Sequence, residues 1–321
     1  MAHGQTPGHH HDHDHDPGQG RTETHTHTHS HGHGHGHGDV DWAAMGTYLE
    51  RYAKIAAPMY REAAAWVRQW TPKPGVVADV GSGPGGVAFL LAEAFPGAQV
   101  IAADPEEPLL ERARDRAERE GVADRFSTVR VELPDSIGQL PPADLLWLGK
   151  SLHHVGDQGA ALAALAERLA PGGALALLEG GLSARSLPRD IGFGTPGLQA
   201  RMEAYDEEWF AGMRASLPGA KRETEDWPAL LGAAGLRHVA SRSFLLDLPA
   251  PLSADARAHL VDELTRRREM RAESLAADDD LATIDRLIDP ADPAGLMRRP
   301  DVFLLAVQTV HVAVKDDGAT S

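Results

Sequence analysis

The sequence predicts a doubly wound α/β fold built on a parallel sheet. Two observations carry this. From Val76 onward, short apolar runs of strand length alternate with helix-length amphipathic stretches, and glycine or proline turns separate them. Between the first strand and its helix lies a glycine-rich turn, Gly81-Ser-Gly83-Pro-Gly85-Gly86. Strands alternating with helices of this length imply a parallel sheet covered on both faces.

The elements follow in order. Residues 42–70 carry Leu49, Tyr52, Ile55, Ala56, Met59, Tyr60, Ala63 and Val67 at helical spacing, interrupted by Pro58. That pattern predicts two helices or one kinked helix. Residues 71–75 (Thr-Pro-Lys-Pro-Gly) are a linker. Strands are expected at 76–80, 99–103, 126–133, 144–148 and 174–178. Helices are expected at 85–95, 106–120 (with Leu109, Leu110, Ala113 and Ala117 on one face and Gly121 as cap) and 158–169. A helix at 226–234 and a strand at 236–246 come next, then helical stretches at 253–275 and 281–288, and a last strand at 302–314. Residues 181–225 and 250–300 exceed what a minimal sheet requires. Together with 39–75 they are expected to form a helical lid. The run Arg266-Arg-Arg-Glu-Met-Arg271 has the composition of a salt-bridged, solvated face.

Composition narrows the function. The chain has 321 residues, 42% apolar and 24% charged, the balance of a soluble globular protein. No apolar run approaches the roughly 18 residues of a bilayer span, and no secretory signal pattern opens the sequence. Without cysteine there is no disulfide, thiolate nucleophile, Cys-ligated zinc or iron–sulfur cluster. A net charge of -16 opposes binding to nucleic acid or anionic lipid. The expectation is a cytoplasmic protein acting on a small molecule, with its oligomeric state unspecified.

Residues 1–38 differ in kind. Thirteen of the 18 histidines lie between His3 and His37, and the segment has no Val, Leu, Ile, Phe, Tyr or Trp. Such a segment cannot bury enough apolar surface to offset its ordering entropy, so disorder is expected. As a set, its imidazoles can gather around Ni²⁺ or Zn²⁺, and no single one is assigned as a ligand. A metal-buffering protein is accordingly one reading of the chain.

The glycine turn follows a strand and opens a helix, the setting in which backbone can approach a ligand closely and a helix N-terminus favours an anion. Asp104 ends the second strand, where a carboxylate can accept from both ribose hydroxyls. These features predict a nucleoside-containing ligand. Gly81, Gly83 and Gly86 also satisfy the dinucleotide spacing, so an NAD(P) oxidoreductase is the rival. Two details oppose it: Asp79 is placed for a cationic amine, and Pro84 lacks the N–H that a pyrophosphate would need.

Val-Ala-Asp79-Val-Gly-Ser-Gly-Pro-Gly resembles the first motif of class I S-adenosylmethionine-dependent methyltransferases. Ile101-Ala-Ala-Asp104, the stretch from Ala143 to Asp157 and the stretch from Leu169 to Glu179 are similar to the family's later motifs, in the family's order. The resemblance covers 76–180 well and 226–314 more loosely. It implies a mostly parallel seven-stranded sheet with an antiparallel last strand, over a domain spanning 76–321, and methyl transfer from S-adenosylmethionine to an oxygen, nitrogen or carbon of a small acceptor. It also implies cofactor contacts from Asp79, Gly81, Ser82, Gly83, Gly85, Asp104, Pro105, Gly149 and Lys150. Many relatives carry Gly-Asp at the end of the third strand; here Arg130-Val-Glu132 stands instead, and Glu132 is the substitute, with a solvated strand-end acid as the alternative. His153 and His154 follow the fourth strand, where a histidine could serve as general base or could merely pack the loop. Trp147 reads as core. Tyr48, Tyr52, Trp209 and Phe210 are candidates for an aromatic acceptor wall or for ordinary packing.

Overall fold

The computed structural model describes residues 41–42, 44–270 and 279–317. The histidine-rich segment, with its expected disorder and metal binding, lies outside them, as does the end of the helix expected to run to 275. Among the described residues the chain runs α1 (Gly46–Val67), β1 (Val76–Val80), α2 (Gly86–Ala94), β2 (Gln99–Asp104), α3 (Glu107–Glu120), β3 (Phe126–Arg130), β4 (Ala143–Gly149), α4 (Gln158–Arg168), β5 (Leu169–Arg185), α5 (Leu198–Ser216), α6 (Trp227–Ala233), β6 (Arg237–Leu248), α7 (Ala254–Met270), α8 (Asp280–Ile288) and β7 (Leu304–Val314).

The seven strands form one sheet in the order β3-β2-β1-β4-β5-β7-β6. All pairs are parallel except those of β7, which is antiparallel to β5 and β6. Alternate residues of the central strands feed two cores. Val77, Leu145, Ala176 and Leu178 face α1, α2 and α7, while Ala78, Leu146, Leu148 and Leu177 face α4 and α6. Chain direction across the sheet reverses between β1 and β4, so the crevice at their carboxyl ends is where an open α/β sheet binds its ligand.

Several boundaries differ from expectation for identifiable reasons. One helix runs through Pro58, which sits on the exposed face of α1, where the carbonyl freed of its hydrogen bond can meet water. Strand β3 stops at Arg130, the register partner of Asp104, because β2 offers no further backbone to pair with. Strand β5 is far longer than 174–178: it continues through Gly180-Gly181 by shifting register against β7, pairing Leu182 with Val307 and Arg185 with Leu305. The insertion at 181–225 contains the helix α5.

The extra helices form a layer tied by polar contacts. Lys54 pairs with Asp255 at 2.7 Å, and Arg51 with Asp262, joining α1 to α7. Arg201 makes a two-pronged pair with the fully buried Asp280, at 2.9 and 2.8 Å, joining α5 to α8. In the basic run, Arg267 pairs with Asp206 and Glu263, and Arg268 with Asp285.

Helix α1 also lies directly on the first turn of α2, where a Cβ on Gly86 would fall 2.4 Å from the Cβ of Ala53. Overpacking of this kind costs roughly 1–3 kcal/mol. Gly86→Ala is therefore expected to lower the melting temperature by about 2–12 °C, taking roughly 2–4 °C per kcal/mol. Adding Ala53→Gly is expected to recover part of the loss, read by scanning calorimetry as a coupling between the two sites.

Candidate active site

The glycine turn is fixed by its neighbours before any ligand is considered. The N–H groups of Gly81 and Ser82 both donate to the Ala103 carbonyl, at 2.8 and 3.0 Å. The Gly83 N–H donates to Asp104 Oδ2 at 2.7 Å, and Asp104 Oδ1 accepts from the Glu106 N–H at 3.0 Å. Gly81 has a φ of +71°, and a Cβ there would lie 2.5 Å from that of Ser151. Only glycine permits both the left-handed backbone and this approach of the β4 loop. Gly85 caps α2 from the same left-handed region, and the Ser82 hydroxyl donates to the Gly83 carbonyl at 3.3 Å.

Asp79, at 3% exposure, lies beneath the turn. The Ala88 N–H at the start of α2 favours its charged form, and Oδ2 has no partner. Burial, with the nearby Asp104 charge adding to it, pushes its pKa up to about 8. Burial raises Asp104 as well, against the pull of its two N–H donors. A buried acceptor without a partner, beside a second acid, favours a cationic group on a ligand. The turn and the two acids thus suit a nucleoside carrying an ammonium.

Pro105 and Glu132 come together at the ends of β2 and β3. With Arg130, Ser136 and Gln139 they line an open cavity of about 280 Å³. Glu132 is exposed, and its N–H donates to Ser136 Oγ at 2.7 Å. Gly149 and Lys150 end β4 on the other side of the turn. Lys150 has a φ of +56°, costly for a residue with a side chain, and its Nζ donates to the Tyr52 hydroxyl on α1 at 3.0 Å.

The two histidines occupy different environments. His153 Nδ1 lies 2.9 Å from Oε2 of the buried Glu179, whose Oε1 accepts from the Leu152 N–H at 3.0 Å. An ionised Glu179 fixes the proton on Nδ1 and leaves the Nε2 lone pair free. His154 packs edge-on to Trp42, with ring centroids 5.0 Å apart, and against His153. Burial, then His153 and Arg214, push its pKa down to about 3. Helix α5 reaches this loop: Phe210 lies 5.6 Å from the His153 ring, and Arg214 donates to the carbonyls of His153 and Val155. Of the other aromatic candidates, Tyr48 stacks on His259 between α1 and α7, and Trp209 is half-buried on α5.

Sequence reasoning did not single out Glu179. Its signal was present: an acid directly after the apolar run 174–178, as Asp104 follows the apolar run of β2.

Residues 78–175 match a family model described as a methyltransferase domain. This part of the chain is similar to methyltransferase domains, in keeping with the motifs of its sequence. Among similar proteins, the demethylmenaquinone methyltransferase of Thermus thermophilus is 34% identical over 109 residues, 33% of this chain and 47% of that protein. The trans-aconitate 2-methyltransferase of Variovorax paradoxus is 35% identical over 109 residues, 33% of this chain and 39% of that protein. The chain spans less than half the length of the curated relatives it matches. Among solved structures, an O-methyltransferase family protein from Burkholderia thailandensis aligns over 86% of this chain and 60% of its own, with 14% identity and a TM-score of 0.48. No helix of the described residues is long and apolar enough to cross a membrane, and none of their His, Asp and Glu form a group of three suited to a metal ion.

The raised pKa of Asp79 gives a stability signature. In the unfolded chain this carboxyl ionises near 3.8, and in the folded chain near 8, so folding takes up a proton between those values. Its contribution to stability is therefore lost as pH rises through that window. Asp79→Asn, which does not ionise, is expected to melt several degrees above wild type at pH 8 without cofactor and level with it at pH 4. An equal gap at both values, measured by calorimetry, would contradict the assignment.

Proposed function

We propose that this chain transfers a methyl group from S-adenosylmethionine to an oxygen of a small organic acceptor, with His153 as the general base. The observation that carries the reading is the His153–Glu179 pair, set in the loop after β4 and in β5 just past its last pairing with β4, beside the glycine turn. Asp79, Gly81, Ser82, Gly83, Gly85, Asp104, Pro105, Glu132, Gly149 and Lys150 are the residues assigned to hold the cofactor. S-adenosylmethionine, when bound, supplies a methyl group on a positively charged sulfur.

The remaining work falls to side chains of this chain. His153 Nε2 accepts the acceptor's hydroxyl proton as its oxygen becomes nucleophilic. Glu179 holds the ring in the required tautomer and stabilises the imidazolium that forms. His154, too weakly basic to hold a proton near neutrality, packs the loop against Trp42. Helices α1, α5, α7 and α8 form the lid that excludes water, and Phe210 and Tyr52 supply aromatic surface at its inner side. Orientation in such a site is worth up to roughly 7–11 kcal/mol.

Turnover is tested by detecting S-adenosylhomocysteine across a panel of phenolic and carboxylic acceptors. His153→Ala is expected to lower kcat by about 10²–10⁴-fold with little change in cofactor affinity, and His154→Phe to lower it far less. Equal losses in the two variants would remove His153 from the role. The histidine-rich segment is read as a Ni²⁺ or Zn²⁺ chelator. A chain starting at Asp39 is expected to lose Ni²⁺ binding in calorimetry while still binding S-adenosylmethionine.

A further inference from the structure

Trp147 lies in the middle of an apolar strand and is 1% exposed, which by itself would make it a core residue. Its indole N–H, however, has no hydrogen-bond partner. A fully buried donor left unpaired is rare in folded proteins and calls for a specific cause. An aliphatic or phenyl side chain would bury apolar surface there without that cost.

Three observations give the donor a direction. Trp147 is the register partner of Asp79 across the parallel β1–β4 pair, so both side chains rise from the same face of the sheet on adjacent strands. Asp79 Oδ2 is also unpartnered. One buried donor and one buried acceptor, both unsatisfied, therefore stand side by side at the crevice floor. The third observation is Gly149, two residues further along β4. A Cβ there would sit 3.1 Å from Trp147 Nε1, and apart from adjoining residues the next atoms lie 3.8 Å away. Glycine at this position keeps a side chain from crowding the indole nitrogen, at the carboxyl end of β4.

We propose that Trp147 is a ligand-binding residue: its indole N–H donates to the carboxylate of the methyl donor's amino-acid head while Asp79 takes the ammonium. This rests on the methyl-donor reading above and adds a residue to it. An α-amino acid carries its ammonium and carboxylate on one carbon, which matches a donor and an acid on neighbouring strands. Gly149 is glycine because any side chain would occupy the place of the carboxylate oxygen.

The test separates the head from the nucleoside. S-adenosylhomocysteine carries the amino-acid head and 5′-methylthioadenosine lacks it, so calorimetric titration of both into the full chain and into Trp147→Phe isolates the contact. The expected result is about tenfold or greater weakening for S-adenosylhomocysteine, the scale of one hydrogen bond to a charged group, and no more than about twofold change for methylthioadenosine. The apo variant loses an unpaired donor and gains a small void, and its melting curve serves to establish that it folds. Equal weakening of both ligands, or of neither, overturns the proposal. Should Trp147→Phe fold poorly, wild-type chain labelled with ¹⁵N at its indole nitrogens gives an independent reading. One indole N–H resonance is expected to move downfield with S-adenosylhomocysteine and to stay in place with methylthioadenosine. No such selective shift also overturns the proposal. Failure of the wild-type chain to bind either nucleoside is a different outcome: it refutes the methyl-donor reading itself, and the role of Trp147 falls with it.

Discussion

Two carboxylates buried side by side beneath a glycine turn set the terms for the rest of this structure. Asp104 is held by two backbone N–H groups, one of them from Gly83, so the acid that closes β2 also shapes the turn that follows β1. Asp79 has only the Ala88 N–H at the start of α2, and its second oxygen is unsatisfied. Desolvation raises both acids. A fold optimised for stability alone would replace Asp79 with an apolar residue. Its retention at the sheet's switch point is intelligible as binding capacity held at the expense of stability.

Around that centre the carboxyl edge of the sheet divides its tasks by strand. The ends of β1 and β2 present acids and bare backbone. The loop after β4 and the stretch of β5 just past its pairing with β4 present an imidazole and the carboxylate that orients it, with Arg214 pinning the loop through main-chain carbonyls. Lys150 sits between the two halves in a left-handed conformation that glycine would adopt at less cost. Its ammonium reaches Tyr52 and so ties the edge of the sheet to α1.

The doubly wound class and the central strands were legible in the sequence because each rests on local signals: apolar runs, a helix cap at Gly121, a glycine turn in the right context. What local signals could not convey was pairing. The end of β3 is decided by where β2 runs out, and the extension of β5 by β7 more than a hundred residues later. The site divides in the same way. Asp79, Asp104 and the histidines announce themselves as polar residues at strand ends. Glu179 becomes distinctive only when its oxygens are seen on His153 and Leu152, and the unpaired indole of Trp147 only when its surroundings are known. Polar atoms that lack partners leave no trace in hydropathy.

The seat of α1 on the naked backbone of Gly86 has a mechanical corollary. The same helix that presses on the turn through Ala53 reaches the opposite rim through Tyr52, one residue earlier. A single rod thus touches both the first turn of α2 and the end of β4. A tilt of α1 at this point would shift both contacts together, linking the glycine turn to the end of β4 through one short stretch of helix.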